Sequence, residues 1–274
     1  MRDKIDLNFI KRRIRNKRSL SRLKDIKENW KLVIEEGKII KDKRLFDIKI
    51  GKYRIWLRKE SSASSIMTFL EIFKYRQHTK HPEFLGKKDN IVFDIGANEG
   101  FYTLWMKRNN PKLKIVALEP VPSTFKLIEK NVRSNKLKDV ILVNKALTSK
   151  KGKIKFEIVP EVSAICATDI NFQKRPWLDT GRIKKIRVNS TSLNDLCKEF
   201  RIDHIDILKM DVEGSEMEIL KSSKKMLKNI SKIIIEFHSK KLKRDCINLL
   251  KKSGFKFVYE DKKKCGDIYF INKR

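Results

Sequence analysis

From Ile91 to the end of the chain, short and continuously apolar runs alternate with longer segments whose apolar residues recur every three or four positions. The apolar runs predict strands buried on both faces, and the longer segments predict amphipathic helices. This alternation predicts an α/β, doubly wound, Rossmann-like fold with a mostly parallel sheet. The predicted strands are IVFDI (91–95), KIVALE (114–119), VILVNKAL (140–147), IDILKMD (205–211) and SKIIIEFH (231–238).

Three further segments complete the predicted domain. EMEILKSSKKMLKN (216–229) predicts one helix, because its apolar residues follow helical spacing. The final runs FKFVYE and GDIYFINK predict a pair of antiparallel C-terminal strands at the sheet edge. Residues 150–190 show the least regular pattern, and we expect them to form an insertion after the third strand.

The residues before this domain predict an appendage of a different character. The first 36 residues predict a basic helix, and the runs RLFDIKI and YRIWLR around Gly51 predict a β-hairpin. SSASSIMTFLEIFKYRQHT (61–79) predicts a second helix with a serine-rich start. We therefore divide the chain into an N-terminal appendage of residues 1–88 and an α/β domain of residues 89–274.

Charge composition favours an anionic partner. Lysine and arginine number 66 against 34 for aspartate and glutamate, which gives a formal net charge of +32 over 274 residues. Six of the eight residues from Lys11 to Arg18 are cationic. Such a segment binds RNA or an anionic membrane surface in some proteins, and in others it is a solvated helix packed on its domain. Basic residues occur along the whole chain, so a general bias toward lysine explains the charge equally well.

Cysteine spacing and hydropathy narrow the class of protein. The four cysteines form no C-x-x-C pair, which argues against a zinc knuckle and favours reduced thiols in a cytosolic protein. The N-terminus has no apolar signal-peptide segment, and no run has the length of a membrane span. We expect a cytoplasmic protein, and attachment to a membrane surface stays open.

Polar residues follow the predicted strands at the edge where ligands bind in open α/β sheets. Glycines after the first strand let the backbone turn and approach a ligand, and an acidic residue after the second strand accepts hydrogen bonds from ribose hydroxyls. The candidate residues for holding a cofactor are Asp94, Gly96, Asn98, Gly100, Glu119 and Asn144. Further polar residues after the later strands are Asp211, Glu213, Glu236 and His238.

Glycine spacing distinguishes two ribose-containing ligands. A dinucleotide pyrophosphate requires G-x-G-x-x-G, whereas here Asn98 replaces the middle glycine and the last glycine comes too early. The carboxylate of Asp94 would repel a pyrophosphate, but it suits the cationic amino acid part of S-adenosylmethionine, reached directly or through water. The sequence therefore predicts S-adenosylmethionine rather than NAD.

The motifs FDIGANEGFYT, LEP, NSTSLNDL, LKMDVEGSE and IIEFH occur in this order, and together the chain resembles the FkbM-type family of S-adenosylmethionine-dependent methyltransferases. The resemblance extends from about Tyr53 to the C-terminus. It implies a class I methyltransferase fold and O-methylation of a hydroxyl on a sugar, a glycan or a small metabolite. By position, it implies that Asp94, Gly96, Asn98, Gly100 and Glu119 hold the methyl donor. It places Asp211, Glu213 and Glu216 on the side where donor and acceptor meet.

Methyl transfer to a hydroxyl requires alignment of the acceptor and removal of its proton. The catalytic candidates are Asp211, which is favoured by its position, His238, whose ordinary pKa lies near neutrality, and Glu213. Glu213 and Glu216 are equally explained as carboxylates favoured at a helix N-terminus. We assign no metal ligands; a divalent cation held by Asp211, Glu236 and His238 is a less favoured alternative.

Two other functions stay open. One is an RNA methyltransferase that docks through the basic N-terminal arm, and the other is a non-catalytic protein that binds S-adenosylmethionine. We expect the acceptor to be contacted by the appendage and by the 150–190 segment, whose sugar-binding candidates are Glu161, Asp169, Arg175 and Trp177.

Overall fold

The computed structural model describes residues 45–50, 52–58, 61–159, 162–167, 183–262 and 265–273. The predicted basic helix of the first 36 residues lies outside the described residues. The same is true of the acceptor-contact candidates Glu161, Asp169, Arg175 and Trp177.

Seven of the described strands form the central sheet: β3 (Ile91–Ile95), β4 (Lys114–Leu118), β5 (Val140–Val143), β10 (Ile205–Met210), β11 (Ile230–Phe237), β12 (Phe255–Glu260) and β13 (Gly266–Asn272). Their order across the sheet is β12-β13-β11-β10-β3-β4-β5. The first five of these strands along the chain run parallel, β13 is antiparallel to β11, and β12 is antiparallel to β13. The predicted α/β, mostly parallel sheet with an antiparallel C-terminal strand is confirmed. The last strand, β13, is inserted between β11 and β12, so that β12 forms the edge.

Helices cover both faces of the sheet because the parallel strands are apolar on both faces. Val92 of β3 packs in one core with Trp105, while the next residue, Phe93, packs in the opposite core with Leu250. Each fully buried apolar side chain of this kind contributes about 1.5–3 kcal/mol to the stability of the fold. The helices of the described residues are α1 (Ser62–Phe73), α2 (Phe101–Asn109), α3 (Pro122–Ser134), α4 (Leu193–Glu199), α5 (Glu216–Ser222), α6 (Lys224–Leu227), α7 (Lys240–Lys252) and a 3₁₀ turn (Pro82–Phe84). Among the described residues, no helix combines the length and the apolar character needed to cross a membrane.

Two predicted elements are interrupted. The helix predicted over residues 216–229 is divided at Ser223, which is the C-cap of α5 and the N-cap of α6. The strand predicted over residues 140–147 ends at Val143, and its last two residues, Ala146–Leu147, form β6 in a different sheet. Asn144 lies at the break between the two sheets.

Residues 150–190, whose sequence pattern is the least regular, contain the strands β7 (Gly152–Val159) and β8 (Val162–Ala167) and most of β9 (Lys184–Thr191). With β6 they form a second sheet in the order β6-β9-β7-β8, in which β7 is antiparallel to both β8 and β9. These strands lie between β5 and β10, where the sequence predicts an insertion. The sequence did not indicate the sheet itself, because apolar residues alternate with charged residues in β7, and this half-buried pattern is weaker than a continuous apolar run. Phe156 and Val188 form the small apolar cluster beneath this sheet, together with Val121.

The predicted β-hairpin consists of β1 (Leu45–Ile50) and β2 (Tyr53–Arg58), which pair in antiparallel fashion. The backbone N–H of Trp56 donates to Asn131 Oδ1 at 2.7 Å, so the hairpin is attached to α3. After α1, Arg76 and His78 adopt left-handed backbone conformations, with φ of 60° and 63°. These conformations direct the chain toward β13, where the N–H of His78 donates to Asp267 Oδ2 at 2.7 Å. The division of the chain at residue 88 stays a prediction.

Candidate active site

A cleft of about 1070 Å³, including the part open to solvent, lies at the carboxyl ends of β3, β4, β10 and β11. This is the edge at which open α/β sheets bind ligands. Residues of α1 and of the segment after it form the opposite wall. The polar and charged residues that line the cleft are Thr68, Glu71, Gln77, His78, Asn98, Tyr102, Glu119, Lys145, Lys209, Asp211, Glu213, Ser215 and Glu236.

The turn after β3 requires glycine at two places for different reasons. Gly96 has a φ of 73°, and a β-carbon on it would lie 1.9 Å from the carbonyl oxygen of Asp211. Gly100 has a φ of 84°, and a β-carbon there would lie 2.6 Å from Ile128 Cγ1. Gly96 therefore lets the backbone line the cleft, whereas Gly100 lets α3 pack closely and does not itself line the cleft.

Glu119 is fixed at the end of β4 by two backbone groups. Its Oε2 accepts a hydrogen bond from the N–H of Asn98 at 3.0 Å, and its Oε1 accepts one from the N–H of Val121 at 2.9 Å. Each carboxylate oxygen has a second lone pair, so the group can accept further hydrogen bonds from a ligand in the cleft. Burial raises the pKa of Glu119 to about 7, against the two backbone hydrogen bonds, which lower it.

Asp94 lies beneath the cleft rather than on its wall. Its Oδ2 accepts a hydrogen bond from Thr103 Oγ1 at 2.8 Å, and its Oδ1 lies 3.2 Å from Lys209 Nζ, with both charged side chains buried. Lys209 also donates to the carbonyl oxygen of Gly96 at 2.8 Å and does line the cleft. The charge of Asp94 is therefore already paired, and its predicted role in holding the donor, directly or through water, stays a prediction. Sequence reasoning missed Lys209, although a lysine within an otherwise apolar strand was a usable signal.

Asn144 supports the cleft from behind. Its Nδ2 donates to the carbonyl oxygens of Glu119 at 2.8 Å and of Pro120 at 3.1 Å. The side chain therefore holds the turn after β4 and does not line the cleft. These hydrogen bonds give Asn144 a role in positioning Glu119, and its predicted contact with the cofactor stays a prediction.

His238 lies between two carboxylates. Its Nε2 is 3.4 Å from Asp211 Oδ1, and its Nδ1 is 3.7 Å from Glu213 Oε2. Burial lowers the pKa of His238, but the negative charge of Glu213 and the contact with Asp211 outweigh it and hold that pKa well above its ordinary value. Burial raises the pKa of Asp211, but the contact with His238 and the positive charge of Lys209 outweigh it and hold that pKa below the ordinary value. The raised pKa of His238 favours the protonated ring, whereas a general base has to be unprotonated, and the catalytic role of His238 stays a prediction. Asp211 and Glu213 line the cleft in front of it.

A second histidine, which sequence reasoning did not select, occupies the neighbouring part of the cleft. His78 is buried, its Nδ1 lies 2.9 Å from Asp267 Oδ1, and its Nε2 lies 3.7 Å from Glu236 Oε2. Gln77 Nε2 donates to the same oxygen of Glu236 at 2.9 Å. Nothing in the local pattern of RQHTKH indicates this role, because the strands that place Glu236 and Asp267 side by side are distant in sequence.

Glu216 holds the loop that carries Asp211 and Glu213. Its Oε1 lies 3.3 Å from the backbone N–H groups of Val212 and of Gly214, both of which donate to it. The side chain is fully buried, and burial raises its pKa to about 7. Glu216 therefore acts as a buried carboxylate at a helix N-terminus, one of the two alternatives for this residue.

Two groups of side chains have the spacing of metal ligands within the described part of the chain. In each of them the candidate ligand atoms lie within 4.8 Å of one another. One group is Asp211, Glu213 and His238, and the other is His78, Glu236 and Asp267. Glu236 therefore groups with His78 rather than with Asp211 and His238, which differs from the ligand set considered from the sequence.

Comparisons with known proteins find relatives that are named as methyltransferases. Methyltransferase 1 of Beauveria bassiana is 28% identical over 144 residues, which cover 48% of this chain and 58% of that protein. The hexuronic acid methyltransferase AglP of Haloferax volcanii is 26% identical over 165 residues, covering 60% of this chain and 62% of that protein. The 2-O-methyltransferase NoeI of Sinorhizobium fredii is 22% identical over 227 residues, covering 76% and 84%. The chain spans about three fifths of the length of the first two relatives.

Residues 94–268 match the family model described as the methyltransferase FkbM domain. The match covers well over half of the chain and begins at the aspartate before the glycine turn. It includes Glu119 after β4 and the loop of Asp211 and Glu213 after β10, and it ends within β13. The resemblance expected from the sequence motifs is confirmed, and the chain belongs to the FkbM methyltransferase domain family.

Proposed function

We propose that this protein transfers the methyl group of S-adenosylmethionine to a hydroxyl group of a sugar, a glycan or a small metabolite. The observation that carries the donor assignment is the doubly anchored carboxylate of Glu119, one strand away from the turn at Gly96. A fixed carboxylate at this place suits the two hydroxyls of a ribose, which donate to its remaining lone pairs. The exposed backbone of the turn at Gly96 and Asn98 holds the rest of the donor.

The charges of the cleft support a sulfonium donor. Among the described lining residues, five carboxyl groups (Glu71, Glu119, Asp211, Glu213 and Glu236) face two ammonium groups. Both ammonium groups have partners, because Lys209 pairs with Asp94 at 3.2 Å and Lys145 pairs with Glu199 at 3.1 Å. Burial raises the pKa of Glu119 to about 7 and that of Glu236 well above its ordinary value, so Glu71, Asp211 and Glu213 supply most of the negative charge of the cleft. The cleft is thus acidic although the whole chain carries a formal charge of +32. An acidic cleft attracts a cationic sulfonium and disfavours a polyphosphate chain.

The same charges favour a hydroxyl-rich acceptor over RNA. Carboxylates accept hydrogen bonds from sugar hydroxyls, whereas RNA requires basic groups for its phosphates. Two of the relatives are named as a hexuronic acid methyltransferase and a 2-O-methyltransferase, which supports a sugar acceptor and an oxygen as the methylated atom. The RNA alternative depends on the basic N-terminal arm, which lies outside the described residues.

Calorimetry with S-adenosylmethionine tests the donor. We expect binding by the unaltered chain and at least tenfold weaker binding by Glu119→Ala, since at least one charge-assisted hydrogen bond, worth about 1.5–3 kcal/mol, is lost. Glu129→Ala on the exposed surface of α3 is the matched control and leaves the affinity unchanged. Absence of binding by the unaltered chain, or equal affinity in Glu119→Ala, would refute the assignment.

Transfer of a tritiated methyl group tests the acceptor. The protein is incubated with labelled S-adenosylmethionine and, in parallel, with total RNA, glycolipid and soluble metabolite fractions. We expect label in a glycan or metabolite fraction, in a bond that is stable to mild base, as an ether is and an ester is not. Label in RNA alone would overturn the proposed acceptor, and label in no fraction would overturn the proposed enzyme activity.

A further inference from the structure

His78 is held in the cleft wall by one buried carboxylate. Asp267 accepts hydrogen bonds from both the backbone N–H and the ring of this residue, at 2.7 Å and 2.9 Å. The backbone of His78 is left-handed, with a φ of 63°. A non-glycine residue in this conformation costs about 1–3 kcal/mol, and such strain is often found at functional sites. The tertiary structure therefore fixes this side chain at the expense of local stability.

The surroundings of Asp267 determine which ring nitrogen of His78 carries the proton. Burial raises the pKa of Asp267, but the His78 contacts and the hydroxyl of Tyr269, 3.0 Å from Oδ2, outweigh it and hold that pKa below its ordinary value. An ionised carboxylate accepts hydrogen bonds only, so the facing Nδ1 of His78 must donate. In the neutral ring Nε2 then carries a lone pair, and this nitrogen faces the cleft beside Glu236.

His238 has the opposite arrangement. Its ring lies behind Asp211 and Glu213, at 3.4 Å and 3.7 Å, its Nε2 is fully buried, and among the described residues it does not line the cleft. A general base needs a nitrogen with a lone pair directed at the substrate. Of these two histidines, only His78 presents such a nitrogen to the cleft.

We propose that His78 is the general base of methyl transfer and that Asp267 is its positioning residue. The inference rests on the proposed function and names a residue outside the matched family region 94–268. The acceptor hydroxyl donates its proton to His78 Nε2, and its oxygen forms a bond to the methyl carbon. The carbon–sulfur bond breaks with its electron pair on sulfur, which gives a neutral thioether. The proton then leaves His78 for solvent, so the net products are a methyl ether, the thioether and one proton.

The protonation of the two histidines can be measured without an acceptor. The chain contains four histidines, so long-range ¹H–¹⁵N spectra of histidine-labelled protein are resolved and are assigned with His78→Gln and His238→Gln. At about pH 7.5 we expect His78 as the Nδ1–H tautomer with a bare Nε2, because the carboxylate of Asp267 accepts from Nδ1. We expect His238 with both nitrogens protonated. His78 with a proton on Nε2 at this pH would overturn the proposal. Apart from Asp267, the titratable groups that face His78 are Glu236 of β11, Asp211 after β10, Tyr102 of α2 and Tyr269 of β13.

A glycine variant separates catalysis from structure. His78→Gly relieves the left-handed strain and leaves a space for added imidazole. With the fraction that accepts label from the unaltered protein, we expect kcat to fall by about 10²–10⁴-fold, the usual contribution of a general base. The donor Kd should stay within about twofold, because the partners of His78 are Asp267 and Glu236 rather than Glu119 or the turn at Gly96. Added imidazole should raise the reduced kcat by about tenfold, because it replaces the missing base. Asp267→Asn should lower kcat and shift the proton of His78 to Nε2 in the spectra.

His204→Gln is the control, since His204 is exposed and distant from the cleft, and we expect its kcat to be unchanged. An unchanged kcat in His78→Gly overturns the proposal. So does a lost kcat that imidazole does not restore while the donor Kd is intact, because that result indicates a structural role. If the unaltered protein labels no fraction, the proposed function fails, and the spectra still decide whether His78 carries the bare nitrogen.

Discussion

The carbonyl oxygen of Asp211 lies 1.9 Å from the position that a β-carbon on Gly96 would occupy. The backbone N–H of Asp211 donates to the carbonyl oxygen of Ile95 at 3.1 Å, so the ends of β3 and β10 are joined at this point. The donor turn and the carboxylate that faces it are therefore one rigid unit. A change in the turn should displace the carboxylate as well.

Gly96→Ala should destabilise the fold and abolish donor binding. The left-handed φ of 73° alone costs an alanine about 1–2 kcal/mol, and the clash with a backbone oxygen adds to that cost. We expect the free energy of unfolding in urea to fall by more than about 2 kcal/mol. Gly254→Ala is the matched control, because Gly254 has a φ of 94° but open space around it, so only the conformational cost remains. Equal losses in the two variants would show that the contact with Asp211 is unimportant.

Donor affinity should increase as the pH rises through the pKa of Glu119, which burial raises to about 7. Because folding raises this pKa, the neutral carboxyl stabilises the folded state. That contribution to the free energy of unfolding is lost as the pH rises from the unfolded pKa of about 4.3 through about 7. The ionised form, however, accepts stronger hydrogen bonds from ribose hydroxyls. We expect the donor Kd from calorimetry to fall by about tenfold between about pH 6 and about pH 8.

Glu119→Gln should remove this part of the pH dependence. Its amide offers one acceptor oxygen for two backbone N–H groups, so we expect a lower melting temperature and a weaker, flatter donor affinity. The pH dependence that persists in the variant belongs to other groups, including the amino group of the donor. A pH dependence identical to that of the unaltered chain would exclude Glu119 as its source.

The fold was largely predictable because its signals are local. IVFDI is apolar on both faces and can only be a buried strand or part of a buried helix, and the turn that follows decides between them. The same rule failed for VILVNKAL, since its apolar pattern continues past Asn144 although the chain leaves the sheet there. Only the hydrogen bonds of that side chain to the turn after β4 explain the break.

The site was only partly predictable, for the opposite reason. Glu119 could be identified because its position at a strand end predicts its direction. The roles of His78 and His238 could not be identified from the sequence, because each role depends on which carboxylates face the two ring nitrogens. Asp267 approaches His78 across 189 positions of sequence, and no local pattern carries that information.

Asp94 and Lys209 should be strongly coupled in stability. They form a buried pair at 3.2 Å, and removal of one partner leaves an unpaired buried charge, which costs about 3–5 kcal/mol. We expect Asp94→Asn and Lys209→Met each to lower the free energy of unfolding, and the double variant to lose less than the sum. The half-exposed pair of Lys243 and Glu260, at 2.6 Å, is the control and should show a coupling of only about 0.2–1 kcal/mol. Additive losses at the buried pair would contradict its assigned role.

His238 should stabilise the fold on the acid side of its raised pKa. A histidine whose folded pKa exceeds its unfolded value of about 6.5 contributes full stability below that value. The contribution is lost as the pH rises through the folded pKa, which lies well above the ordinary value. We therefore expect the melting temperature to decline on the alkaline side, and His238→Gln to be less stable at neutral pH and to lack this decline. His204→Gln, at an exposed histidine, should retain it. A decline of the same size in His238→Gln would mean that another group causes it.

Removal of metal ions should leave methyl transfer unchanged. In the group of Asp211, Glu213 and His238 the ring nitrogens of the histidine lie 3.4 Å and 3.7 Å from the carboxylates, and the raised pKa of His238 favours a positive charge that offsets the repulsion between them. Removal of the acceptor proton by His78 would make acidification by a cation unnecessary. The measurement is transfer of labelled methyl after prolonged treatment with EDTA and dialysis, with Mg²⁺, Mn²⁺ or Zn²⁺ then added to separate samples. Loss of activity on chelation and recovery with one ion would show that the carboxylates bind a metal. In that case Asp211→Asn should weaken binding of the ion and raise the concentration needed for recovery, because a carboxylate ligand becomes a neutral amide.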